Sequence, residues 1–316
     1  WCCELLRDVK VPEPAITDLS TLAREAQEAA LQKALADGLN RHWSLERWPL
    51  HEIALFRLGE EEHALCLTNE HLVSDGLGNQ LLLRRLLEHY AAELGEGAPP
   101  PVLDDACFVE GVRAFNAVEL PPAVQDGGEP YEWNPAGRMI EHFVPRFTCE
   151  VVEHDAARTA ALREAAARLG AGLNVVLLVA LLRAAARTAP GAAPAVQMPT
   201  GARVAGDIDA GERIGCHAGN LTVALPGAAD ADWPEMLAAC AADIGLRLAG
   251  AEDLRLIRDT AAVIRRDVQL VDGALPETLR PVFRARLRSN LYAPYIGETG
   301  IATRYGALRV SAYRAG

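Results

Sequence analysis

Lysine is nearly missing from this 316-residue chain: Lys10 and Lys33 are the only two, and the formal net charge is −12. Phosphate contacts need a clustered basic face, so the charge balance argues against a nucleic-acid binder. It argues equally against attachment to anionic lipid by charge. Arginine and alanine abound instead, which reads as the coding bias of a GC-rich bacterial genome rather than as chemistry. Long apolar runs are lacking too. The richest, LNVVLLVALL from Leu173 to Leu182, falls far short of the roughly 20 residues a membrane span needs. No secretory leader pattern opens the chain. It begins WCCELLRDVK without an initiator methionine, so the expectation is an excised or trimmed piece.

The seven cysteines (Cys2, Cys3, Cys66, Cys107, Cys149, Cys216, Cys240) are odd in number and have no metal-ligand spacing. One adjacent pair and five singletons make neither a disulfide framework nor a zinc site. They are expected to be mostly buried, small apolar residues in a reducing cytosol, and no metal is expected. Other signatures fail one residue at a time. HEIAL has Leu55 where a zincin needs a second histidine after His51, and it lies in a strand pattern. GLG at Gly76–Gly78 has Leu81 where a dinucleotide fingerprint needs its third glycine, and no P-loop lysine occurs. Ser289 lacks the G-x-S-x-G elbow of a serine hydrolase. The sequon at Asn220 would not meet glycosylation machinery in the cytosol.

What is present is an ordinary globular composition, 50% hydrophobic and 23% charged, enough for one large domain or two that share a cleft. The periodicity from Thr21 to Leu39 predicts an amphipathic helix closed by Gly38. LHEIALFRLG and EHALCLTNEH predict a β-hairpin across an acidic, Gly-containing turn. GLGNQLLLRRLLEHYAAEL predicts a helix. Residues 95–146, rich in Pro, Gly and acidic side chains, read as a crossover between two halves. The second half is expected to open with a strand near 147–152. A helix pair follows, the second helix buried on most sides. Strands APAVQMP and NLTVALP come next around the loop TGARVAGDIDAGERIG. Helices over 233–248 and within 251–270 follow, and two or three strands finish the chain. The mix predicts an α/β fold with two-layer packing.

The chemistry concentrates in LCLTNEHLVSDGLGNQLLL, Leu65–Leu83. An apolar strand runs into His71, and Asp75 and Gly76 then open a helix. An imidazole at a strand end is well suited to accept a proton near neutral pH. H-x-x-x-D alone is common, and a plain helix N-cap would account for Asp75 just as well.

The wider segment, PLHEIALFRLGEEEHALCLTNEHLVSDGLGNQLLLRRLLEHYAAEL, resembles the core of nonribosomal-peptide condensation domains and their acyltransferase relatives. That superfamily includes polyketide-associated acyltransferases and has a chloramphenicol-acetyltransferase-like fold. Its H-H-x-x-x-D-G signature stands here as Glu70-His71-Leu72-Val73-Ser74-Asp75-Gly76. Further segments match in the family's order: the helix pair from His154, then MPTGARV…RIGCHAGNLTVALP, then RSNLYAPY…RYGALRV.

The resemblance implies two chloramphenicol-acetyltransferase-like subdomains in a V, residues 1–145 and an incomplete 146–316, with the site in the channel between them. It implies acyl transfer from a thioester donor to an amine or hydroxyl, with His71 as general base. Asp75 would be structural and pair with Arg203, and Gly76 would permit a tight turn or the close approach of a phosphopantetheine arm. Glu70, Ser74, Asn220, Ser289 and Asn290 are candidates for lining the channel. No cofactor is implied, since the pantetheine arm comes with the substrate on an acyl or peptidyl carrier protein or on coenzyme A. A small-molecule acceptor completes the partners. Arg84 and Arg85 read either as a carrier-docking face or as a solvated helix face, and His217 as incidental. Two departures stand out: Glu70 replaces the first histidine, and both ends look abridged. A non-catalytic docking platform is the competing reading.

Overall fold

The computed structural model describes residues 9–101, 113–122, 150–188, 194–201, 214–224, 231–267, 289 and 291–314. The expected hairpin forms: β2 (His51–Arg57) pairs antiparallel with β3 (His63–Asn69), Ile53 opposite Leu67. The Leu58 and Gly59 amides both donate to the Glu62 carbonyl and close the turn. A short strand that periodicity did not signal, β1 (Ala15–Asp18), adds to β2 in parallel. Four residues are too few for an alternation to register.

Helix α1 (Arg24–Leu39) starts three residues later than its pattern suggested. Gly38 is not its cap. Asn40 takes that place, its side-chain amide donating to the Ala36 carbonyl at 2.7 Å. A methyl group on Gly38 would lie 2.9 Å from Thr68 Oγ1, so the glycine serves the close approach of α1 to β3. Helix α2 (Gly76–Glu93) matches its expected span.

In the second half, α3 (Ala156–Arg168) and α4 (Leu173–Thr188) form the expected helix pair. Of the strand expected near 147–152, residues 150–152 are irregular, and the rest lies outside the described residues. Strands β4 (Ala195–Gly201) and β5 (Ala218–Ala224) pair antiparallel, Val196 opposite Val223. Helices α5 (Trp233–Ala249) and α6 (Glu252–Asp267) follow. Of the final strands, the described residues hold one small hairpin, β6 (Arg304–Tyr305) with β7 (Leu308–Arg309).

The main core lies here. Leu178, Val179 and Leu182 of α4 pack with Val196, Val223 and the α5 residues Met236, Leu237 and Cys240. Burying each large side chain of this set contributes about 1.5–3 kcal/mol. The expectation that α4 is buried on most sides is corrected: Leu177 and Ala180 are exposed, and only the stripe through Leu178, Leu182 and Ala185 is closed off. The run is continuous because alanine and leucine also suit an exposed helical face. Arg247 is buried too, held by Asp243 at 2.8 Å and by Glu252 at 2.9 Å.

A further edge matters for the site. The Gln197 amide donates to the Leu291 carbonyl at 2.8 Å, and the Ala293 amide donates to the Gln197 carbonyl at 2.9 Å. Residues 291–293 therefore lie along β4, Tyr292 bridging to Gln197 in parallel. No single helix among the described residues is long and apolar enough to cross a membrane.

Candidate active site

The motif turn follows directly from the hairpin. Beyond β3 the Glu70 amide donates to the Leu50 carbonyl at 2.9 Å, and the Val73 amide donates to the Glu70 carbonyl at 3.1 Å. His71 sits inside this turn and is solvent-accessible. The Glu70 carboxylate accepts from the Leu72 amide at 2.5 Å, so it is engaged in its own turn. Ser74 and Asp75 face inward and are buried.

Two contacts of the Asp75 side chain shape the site. Oδ1 accepts from the Gly78 amide at 2.8 Å, which is the N-cap of α2. Oδ2 accepts from the His217 amide at 2.9 Å, 142 residues away in sequence. The Asp75 amide in turn donates to the Gly215 carbonyl at 3.2 Å. One carboxylate thus organises the start of α2 and also fixes the segment that leads into β5. Gly215 has φ 150°, a conformation that side chains resist, so the segment can turn here at little cost. Its strand is anchored by Leu221 and Val223, which are fully buried.

This arrangement brings Cys216 onto the motif. Its sulfur lies 3.4 Å from His71 Nδ1, and Cys216 is exposed. The hydrogen bond between His71 and Cys216 raises the His71 imidazole from its usual range to about 9, over the opposing effect of partial burial, with the electrostatic effects of Cys216 and Asp75 adding to it. Tyr292 belongs to the same neighbourhood: burial raises its phenol, and the Cys216 charge raises it further. The buried-cysteine expectation therefore holds for Cys240, which is fully buried and whose thiol burial pushes up to about 11. It is corrected for Cys216. His217 was read as incidental, yet its backbone amide is the link to Asp75.

Gly78 is a further site residue that the missing fingerprint had obscured. A Cβ there would lie 2.5 Å from Ser74 Oγ, and 3.3 Å from both Asp75 Oδ1 and the Gly215 carbonyl. Glycine in this place lets the first turn of α2 touch the 215–217 segment. A Cβ on Gly76, by contrast, would meet nothing within 4 Å, and Gly76 is not among the positive-φ glycines of the described residues.

The remaining candidates separate. Ser289 is buried, its hydroxyl donating to the Ala195 carbonyl at 2.6 Å and accepting from the Leu291 amide at 3.0 Å. It ties the 289–293 segment to β4. Asn220 faces Pro199 across β4–β5, and its Oδ1 has no hydrogen-bond partner among the described residues. Arg203 and Asn290 lie outside the described residues. Arg84 and Arg85 flank Glu88 at 3.7 and 3.6 Å, and Arg85 is largely covered by its neighbours.

Comparison with known proteins supplies the context. The condensation-domain family model matches residues 7–110, which include the whole motif. A linear gramicidin synthase of Brevibacillus parabrevis is 32% identical over 89 residues, 27% of this chain and 1% of that protein. Phosphinothricin tripeptide synthetase of Streptomyces viridochromogenes is 34% identical over 111 residues, 34% of this chain and 10% of that protein. Among solved structures, the first condensation domain of the calcium-dependent antibiotic synthetase, in complex with a substrate analogue, superposes with a TM-score of 0.62 at 23% identity. That match covers 76% of this chain and 56% of the other. The starter condensation domain of rhizomide synthetase, in complex with C8-CoA, gives 0.55 at 17% identity over 78% of this chain and 58% of the other. The chain therefore spans a little over half of the solved condensation-domain chains it matches, and a tenth or less of these two synthetases. Residues 7–110 carry condensation-domain sequence, and the α/β architecture is the chloramphenicol-acetyltransferase-like fold of the condensation domains.

Proposed function

We propose that this chain carries an acyl-transfer site of the condensation type, which moves an acyl group from a thioester onto an amine and forms an amide. The observation that carries the reading is the Asp75 carboxylate, which links the motif turn to the segment before β5 beside an accessible His71. A buried carboxylate used in this way fixes the position of its neighbours. Holding reacting groups in place is itself a large part of catalysis.

In this reading, residues 1–145 and 146–316 are the two subdomains, and the site lies where they meet. The acyl group arrives on a phosphopantetheine arm, borne by a carrier domain or by coenzyme A. The rhizomide synthetase domain with C8-CoA supports the arm as the recognised element. A Cβ on Gly76 would meet nothing within 4 Å, and the apolar side chains of Leu72 and Leu77 in the same motif are exposed, which suits the approach of the arm. The amine attacks the acyl carbonyl and a thiol leaves. His71 removes the surplus proton from the amine nitrogen. His71 is solvent-accessible rather than packed into the core, which favours catalysis over a docking platform.

The test combines the full-length protein with acyl thioesters of varied length and with amine and alcohol acceptors, read by mass spectrometry of the products. An amide that forms with wild type and vanishes with His71→Ala supports the proposal. Ester formation alone would move the assignment to a hydroxyl acceptor. Carrier-protein binding with no product across the panel would favour the docking platform.

A further inference from the structure

A base must keep a lone pair on the atom that meets its proton, and a neutral imidazole has one nitrogen with a lone pair and one with a hydrogen. Which nitrogen carries the hydrogen is set by the bonds the ring makes to its surroundings. His71 Nδ1 faces the Cys216 sulfur at 3.4 Å, so Nε2 is the nitrogen left to meet an incoming amine. A thiol sulfur is a weak donor and a weak acceptor. This one is held in place by the backbone on either side of it. The Gly215 carbonyl accepts from the Asp75 amide at 3.2 Å, and the His217 amide donates to Asp75 Oδ2 at 2.9 Å. Both anchors lie on Asp75, in the same motif turn as His71, so ring and sulfur share one support.

We propose that Cys216 is a positioning residue for His71: its sulfur accepts from Nδ1–H and holds the ring in the tautomer that leaves the Nε2 lone pair free. This rests on the acyl-transfer reading above and deepens it. The role needs a sulfur lone pair and no bond between Cys216 and the acyl group. The amine nitrogen attacks the thioester carbonyl, and Nε2 takes the surplus proton from that nitrogen. The donor's carbon–sulfur bond breaks, and the imidazolium returns the proton to the departing sulfur. The amide and a free thiol leave, and His71 is neutral again, with Nδ1–H still on Cys216.

The contact acts most strongly at the moment it is needed. Once Nε2 has taken the proton, Nδ1–H belongs to a cation, and a hydrogen bond from a cation is shorter and stronger than one from a neutral ring. Cys216 therefore stabilises the charge that develops on His71 more than it stabilises the resting ring. Such a difference raises kcat and leaves substrate binding alone. The upward shift of His71 agrees in direction: the hydrogen bond with Cys216 is its largest cause, and the histidine's own backbone and Asp75 act in the same sense.

The test measures amide formation from an acyl thioester and an amine by full-length protein carrying Cys216→Val or Cys216→Ser. Valine fills nearly the same volume with no acceptor, and serine keeps one. On the alkaline plateau, where His71 is neutral in every variant, Cys216→Val should lower kcat about tenfold with KM unchanged, the size expected for one hydrogen bond to a charged group. Cys216→Ser should recover most of that loss. The acid limb of kcat/KM should move to lower pH in Cys216→Val, and the amine, common to all variants, cannot cause that difference. Nitrogen NMR of histidine-labelled protein gives a readout without substrate, with His71 assigned by its absence in His71→Asn. Neutral His71 should carry its hydrogen on Nδ1 in wild type and shift toward Nε2 in Cys216→Val. The same tautomer in both proteins, or a serine variant as slow as the valine one, overturns the proposal. If Cys216→Val keeps full turnover while His71→Ala loses it, the positioning role is refuted and His71 stands as the base. If His71→Ala keeps full turnover, or wild type makes no product from any thioester, both readings fall.

Discussion

Removing the Asp75 carboxylate should loosen two segments that its side chain helps to join. Asp75→Ala leaves two amide N–H groups without their acceptor: Gly78, 2.8 Å from Oδ1, and His217, 2.9 Å from Oδ2. Loss of the N-cap costs about 1 kcal/mol. Loss of a charge-assisted bond at a buried carboxylate costs about 2 kcal/mol more. At roughly 2 °C per kcal/mol for a chain of this size, the total of about 3 kcal/mol lowers Tm by about 6 °C. Activity should fall further than stability, because the same loss releases the segment that holds Cys216 against His71. A shift of about 1 Å at a reacting group can cost roughly a hundredfold in rate. Asp75→Asn dissects the two effects. Its amide oxygen can still cap α2, but its NH2 would face the His217 N–H, donor against donor. It should therefore melt above Asp75→Ala and be just as inactive. Differential scanning calorimetry and product formation, measured on both variants, check this. An Ala variant that melts within about 1 °C of wild type would show that the carboxylate does not join these segments. An Asn variant with full turnover would show that the link to His217 is irrelevant to chemistry.

Three further outcomes can be measured. Gly78→Ala should destabilise by about 1–3 kcal/mol through overpacking, against the gain of about 1 kcal/mol that alanine usually brings to a helix, because its Cβ would lie 2.5 Å from Ser74 Oγ. The Gly78→Ala/Ser74→Ala double variant should recover part of the loss in urea titrations, and no recovery would sink the steric account. His71 is raised to about 9 in the folded chain from an ordinary 6.5. Its contribution to stability is therefore complete below about pH 6.5 and is lost as pH rises through about 9. The Tm difference between wild type and His71→Gln should shrink across that window, and Cys216→Ala should flatten it; a difference that is constant with pH contradicts the assignment. Leu182→Ala, in the fully buried stripe of α4, should cost about 2–5 kcal/mol. Ala180→Ser, on the exposed side of the same helix, should leave the denaturation midpoint nearly unchanged.

The sequence by itself determined the parts of this protein that depend on near neighbours along the chain. The β2–β3 hairpin, α2 and the placement of His71 and Asp75 between them follow from alternation, helical periodicity and a cap, all read within about twenty residues. The helix pair α3–α4 and strands β4 and β5 were legible for the same reason, and the ordered motifs pointed to the condensation-type fold. Where the pattern was short or ambiguous, the sequence was silent or misleading. Four residues of β1 carry no period, and the alanine- and leucine-rich α4 looks buried on most sides although much of it meets solvent.

Only the tertiary structure decided what surrounds His71. Cys216 lies 145 positions from it in sequence, and seven scattered cysteines gave no reason to prefer one. The backbone of His217 reaches Asp75 through its amide, a group every residue but proline possesses, so residue identity could not have announced it. Gly78 looked like a failed fingerprint until the approach of the Gly215 carbonyl gave it a purpose. Local order is written in the spacing of side chains along the chain. Long-range contacts arise when β5, buried through Leu221 and Val223, carries its leading residues to the start of α2, and that meeting exists only once both elements are packed.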